Sequence, residues 1–100
     1  MTGPDRPALE ARWLRLTREL LPALAAERGW PVRHDHCFQR ILLDHACGGR
    51  WYDSISDRPA YRAADGATLQ RAVQLAEQVA EGSADLHRLN LQSLAWRGRV

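Results

Sequence analysis

Leu9, Trp13, Leu16, Leu20 and Leu24 recur three and four residues apart, the period of a helix with one buried face. Pro7 suits the first helical position, where a missing N–H costs nothing. Pro22 falls inside the run and predicts a kink, or a second short helix after Leu21. Gly29 followed by Trp30-Pro31 ends the element. A second helix is predicted over Asp35 to Ala46, capped by His34 or Asp35, with Cys37, Phe38, Ile41, Leu42 and His45 on one side. Gly48-Gly49 stops it. A third helix, from about Thr68 to Glu81, turns Leu69, Ala72, Val73, Ala76, Val79 and Ala80 inward, and its small residues admit a close neighbour. Gly82 closes it, and Ser83 with Asp85 opens a last helix to about Arg97.

The stretch from Arg50 to Tyr61 has no clean period. Ser56 or Asp57 ahead of Pro59 could cap one short helical turn. Trp51, Tyr52 and Tyr61 in so polar a stretch predict that it packs on the body, because large aromatics bury much area. Asp65-Gly66 reads as a turn. No alternating β-branched run, internal repeat or low-complexity tract is present. The pattern therefore predicts an all-α fold: a compact bundle of four to five helices, mostly antiparallel, with an irregular or short-helical segment near residues 48–67. Residues 1–6 read as a flexible polar leader to a single domain spanning 1–100.

A chain of 100 residues has room for one core. Its net charge of +2, from 14 basic and 12 acidic residues, does not by itself indicate a nucleic-acid partner. Every basic residue is Arg, whose planar fork suits carboxylates and phosphates. No apolar run approaches the roughly 18 residues that span a bilayer, and charges interrupt the N-terminal stretch, so neither a membrane segment nor a secretory signal is expected. Cys37 and Cys47 on one helix would stand about 15 Å apart, too far to bridge. Free thiols in a cytoplasmic protein are the expectation.

The densest chemical cluster is His34-Asp35-His36-Cys37, followed by Asp44-His45 and Cys47. Its composition suits zinc but its geometry does not: Cys37 and His45 on one helix lie about 12 Å apart, and His36 and Cys37 point about 100° apart. A metal would need His34, one of His36 or Cys37, and a distant partner such as His87; no metal or other cofactor is expected. Cys37 near its helix N-terminus, with His34 as base, is one candidate nucleophile, set against an inert thiol packed beside Phe38 and Ile41.

His45 lies by the arc of Phe38, Ile41 and Leu42, and Asn90 and Ser93 lie among Leu86, Leu89 and Leu94. His87 borders Leu91 and Leu94. If these helices face each other, His45, His87 and Asn90 form either a buried polar network that fixes register or a pocket, joined by Trp96 and Trp51. In a pocket, His45 would be the acid or base and Asn90 would orient the ligand. Arg12, Arg15 and Arg18 form a stripe suited to a phosphate backbone, although Glu10 and Glu19 interrupt it. Trp30, Arg50, Trp51, Tyr52, Arg58 and Trp96 are the candidate ligand or partner surface, of the residue types that dominate protein contacts. The first expectation is an accessory or interaction domain that binds a partner protein or a second copy of itself. A small enzyme or ligand-binding module and a weak nucleic-acid binder are the alternatives.

Overall fold

In the computed structural model, which describes residues 5–99, the chain is a bundle of helices and the described residues contain no strand. Helix α1 covers Arg6–Arg15, α2 Leu21–Arg28, α3 Asp35–Cys47, α4 Ala60–Ala63, α5 Gly66–Glu81 and α6 Leu86–Trp96. A π turn, Leu16–Leu20, joins α1 to α2, and a 3-10 turn, Trp51–Asp53, follows α3. The expected all-α bundle with a short-helical middle segment is the architecture found. Its radius of gyration, 12.9 Å, is that of a fully collapsed chain of this length, for which about 13 Å is usual.

A second short helix begins at Leu21, as Pro22 predicts, and the chain enters it through the π turn without leaving helical backbone conformation. In an unbroken α-helix the Pro22 ring would crowd the Arg18 carbonyl, and that carbonyl would lack a donor. The π turn removes the conflict: Leu21 N–H bonds the Leu16 carbonyl, five residues back. The wider turn also moves the apolar stripe around the helix. Trp13 and Leu16 are fully buried as expected, whereas Leu20 is exposed and Leu24 half-buried. Leu21 and Ala25 take their places in the core.

Left-handed glycines end three helices: Gly29 (φ 65°), Gly48 (φ 74°) and Gly82 (φ 91°). Asp85 caps α6 by accepting from His87 N–H at 3.0 Å. Helix α5 starts earlier than its periodicity suggests. Asp65 is its cap, accepting from Thr68 N–H at 2.7 Å, so Gly66 is helical rather than part of a free turn. Pro59 is itself the residue ahead of α4, and neither Ser56 nor Asp57 caps that turn.

Arginines reach across to the open ends of other helices, where carbonyls lack intrahelical donors. Arg28 donates to the Val79 and Ala80 carbonyls at the end of α5, and Arg71 to Ala46 at the end of α3. Arg6 donates to Tyr61, Arg62 and Ala64 around α4 and pairs with Glu10 at 2.8 Å. Arg6 is thus anchored rather than part of a leader; residues 1–4 lie outside the described residues. Phe38, Ile41 and Leu42 of α3 and Leu69, Ala72, Val73, Ala76 and Val79 of α5 join Trp13, Leu16 and Leu21 in one core.

Candidate functional site

Helices α3 and α6 meet through polar groups. Arg40 and Asp44 lie one turn apart on α3; Asn90, Ser93 and Arg97 follow at helical spacing along and just past α6. Asp44 is fully buried. Arg97 grips it with two bonds, Nε to Oδ2 at 2.8 Å and Nη2 to Oδ1 at 2.9 Å. The Ser93 hydroxyl donates to Oδ2 at 2.7 Å, and the Trp51 backbone N–H donates to Oδ1 at 2.9 Å. Each carboxylate oxygen therefore accepts twice. This last bond ties the 3-10 turn to the bundle at the Trp51 backbone.

Arg40 completes the layer. Its Nη1 donates to Ser93 Oγ and its Nη2 to Asn90 Oδ1, both at 2.7 Å. Burial and then the neighbouring Arg97 push its pKa down, against the opposing pull of Cys37 and Asp44. Arg97 is pushed the other way, chiefly by its hydrogen bonds to Asp44.

On the outer side of this layer lies a cleft of about 520 Å³. Its lining comprises His36, Gln39, Arg40 and Leu43 of α3, Trp51 of the 3-10 turn, and Arg58, Pro59 and Ala60 ahead of and opening α4. The Arg58 guanidinium sits 5.3 Å from the centre of the Trp51 ring. Trp51 meets Tyr52 edge-on at 5.7 Å, and Arg50 and Arg97 both lie against Tyr52, at 5.5 and 5.2 Å. Cations and aromatic rings thus alternate from the cleft out to Tyr52, which is 44% exposed.

The structure brings Trp51 and Arg58 together at the cleft, with Arg50 and Tyr52 beside them. Trp30 and Trp96 are elsewhere, absorbed by packing. Trp30 contacts Phe38 edge-on at 5.9 Å, and Trp96 contacts His45 at 4.9 Å. Tyr61 is buried and Trp51 half-buried, so the middle segment packs on the body except at Tyr52.

His45, His87 and Asn90 do not form one network. His45 Nε2 lies 2.9 Å from the Leu89 carbonyl, which can only accept, so that nitrogen carries the hydrogen. His45 lines a separate shallow pocket of about 320 Å³ with Arg71, Gln74 and Gln78. Asn90 is buried and serves Arg40. His87 is exposed, and no described hydrogen bond joins it to the other two. The reason is rotational: α6 buries Leu86, Asn90 and Ser93, while Leu91, on the His87 side, is 44% exposed.

Among the described residues no three His, Cys, Asp or Glu side chains come together to hold a metal ion. The His34 ring stacks on His36 at 5.6 Å, and no described hydrogen bond joins it to Cys37. Burial, followed by the Asp44 charge, pushes the Cys47 thiol up, which opposes thiolate formation. Two residues of the arginine stripe are paired: Arg12 with Glu77 at 3.0 Å, and Arg18 with Asp35 at 3.8 Å. Arg15 borders a shallow depression with Glu19 and Leu20.

Sequence reasoning missed Arg40, Asp44 and Arg97 as partners in one layer. The signal was present in part: Asp44 follows Ile41 by three residues and so falls beside the buried arc. Comparison of the chain with protein-family models, with curated proteins and with solved structures finds no match. Among the described residues no helix is long and apolar enough to cross a membrane.

Proposed function

We propose that this chain is a small docking domain, without chemistry of its own, that receives a partner protein in the cleft beside α3 and the 3-10 turn. One observation carries the reading: Arg40, Trp51 and Arg58 converge on a cleft whose remaining wall includes Leu43, Pro59 and Ala60. Trp and Arg are among the residue types that contribute most at protein contacts, and a largely apolar recess lets an inserted side chain lose its water. The cleft falls within the roughly 300–1,000 Å³ of ordinary binding sites. Its continuation to the exposed Tyr52 favours a partner with an extended surface over a small molecule that fills the recess alone. The free thiols Cys37 and Cys47 fit a reducing cytoplasm as its setting.

The separate surroundings of His45, His87 and Asn90 support docking over an acid–base pocket built from those three residues. The test is a photoreactive amino acid placed at Ala60, in the cleft wall, or at Arg15 on α1, with each variant expressed in the natural host. A discrete protein adduct from position 60 and none from position 15 is the expected result. No protein adduct from position 60, or the same adducts from both positions, overturns the reading.

A further inference from the structure

Asp44 has no capacity left for Arg40. A carboxylate offers about four lone-pair sites, and the two Arg97 bonds, the Ser93 hydroxyl and the Trp51 N–H fill them. Its negative charge is matched by the Arg97 guanidinium gripping it at 2.8 Å. Arg40, in contrast, touches two neutral oxygens, Ser93 Oγ and Asn90 Oδ1. Among the described residues it has no carboxylate within ion-pair distance, and Arg40 is one of the residues that line the cleft. Of the five N–H groups on a guanidinium, three remain unassigned. A half-buried cation whose neighbouring carboxylate, Asp44, is already paired with Arg97 is under-compensated, and a cleft wall is where a ligand could supply a second negative charge. Arg58 adds a second positive charge to the same lining, and no Asp or Glu belongs to it.

We infer that the partner presents a carboxylate to Arg40: the cleft recognises an acidic side chain flanked by apolar ones in a peptide segment of the docking protein. This rests on the docking reading and names the chemistry of its occupant. The planar guanidinium edge matches a carboxylate in shape. Leu43, Trp51, Pro59 and Ala60 would take the flanking apolar side chains, with Arg58 closing over the segment from its place against Trp51. A phosphate dianion would lose more hydration energy against a wall that is largely apolar, so the singly charged carboxylate is favoured.

The experiment follows the Trp51 indole N–H and the Arg40 Nε–H by nitrogen-15 NMR. The probes are a pool of acetyl-X-Glu-X-amide tripeptides, with X drawn from Leu, Phe and Val, the matching Gln pool, and inorganic phosphate. Saturating shifts with the Glu pool, at least about tenfold weaker with the Gln pool, are expected. Arg40→Gln should erase the difference between pools, and Arg40→Lys should restore part of it. Because Arg40 also bonds Asn90 and Ser93, each variant is first checked for its helical circular dichroism. Arg58→Gln, an exposed position, provides a second variant and should weaken the Glu pool by about threefold to tenfold. Equal shifts from the Glu and Gln pools, tighter binding of phosphate than of the Glu pool, or no shift up to about 10 mM peptide each overturns the inference. Equal shifts leave the docking reading standing; that reading fails separately, through the crosslink at position 60.

Discussion

Helix α3 is held on two sides by different physics. Its junction with α5 is built from apolar groups: fully buried Phe38, Ile41 and Leu42 share a core with Leu69, Ala72 and Ala76, and two Arg71 bonds to the Ala46 carbonyl close the helix end. Its junction with α6 is built from charge. Arg40 and Asp44 face Asn90, Ser93 and Arg97, and only Leu86 among the buried residues of α6 is apolar. An apolar contact responds to lost volume in proportion, because it is non-directional. A buried ion pair responds to the loss of one partner far more than to the loss of both, because the survivor is left charged and uncompensated. The second junction also carries the cleft, since Asp44 anchors the Trp51 backbone and Arg40 reaches the cleft wall.

The sharpest break in this comparison is Asp44→Ala. It strands the Arg97 guanidinium, the Ser93 hydroxyl and the Trp51 N–H together, and should lower stability by about 3–5 kcal/mol in urea unfolding. Replacing both ends of the pair, Asp44→Leu with Arg97→Met, should recover the part of that loss that comes from the stranded guanidinium, leaving the Trp51 N–H and Ser93 hydroxyl unpartnered by Asp44. A double variant no more stable than Asp44→Ala would show that the junction depends on more than charge compensation. In the apolar core, Leu42→Ala should cost about 2–5 kcal/mol, whereas Leu42→Met should cost less than about 1.5 kcal/mol. Overfilling the close approach with Ala76→Leu should cost about 1–3 kcal/mol. If Leu42→Met matched Leu42→Ala, the core would be more shape-specific than this picture allows.

A smaller effect is expected at the start of α5. The Thr68 backbone N–H, and then its hydroxyl, hold the Asp65 pKa below its ordinary value of 3.8. A carboxylate with a depressed folded pKa contributes its full stabilisation above the unfolded value and loses it as pH falls through the folded one. Melting temperatures should therefore show an acid loss that Asp65→Asn reduces, since Asn still caps but does not titrate. An unchanged acid limb in that variant would separate the cap from the pH response.

The helices were legible in the sequence because their stops are chemical: Gly29, Gly48 and Gly82 adopt the left-handed conformation that ends a helix. The stripe of α1 and α2 was legible up to Leu16. Beyond it, the π turn ahead of Pro22 shifts the phase by an amount that α-helical counting does not include, exposing Leu20. The polar layer was half legible. Asn90 and Ser93 among leucines mark a buried face, but leucines lie on both sides of α6, and the side that carries His87 and Leu91 is the exposed one rather than the buried one the spacing predicts. Asp44 reads as a polar residue beside His45, and only its tertiary partners Arg97 and Ser93 reveal that it is fully buried. The cleft joins α3 to residues 51 and 58–60, a juxtaposition that no local period encodes.

The most direct test of the account is Trp51→Ala, measured for stability and for partner capture together. Trp51 is half-buried at the edge of the bundle, and Asp44 holds its backbone rather than its ring. The account predicts a folded protein, with a urea midpoint shifted far less than in Asp44→Ala, that no longer forms the protein adduct from a photoreactive group at position 60. A folded Trp51→Ala protein that captures the same partner in undiminished yield would contradict it.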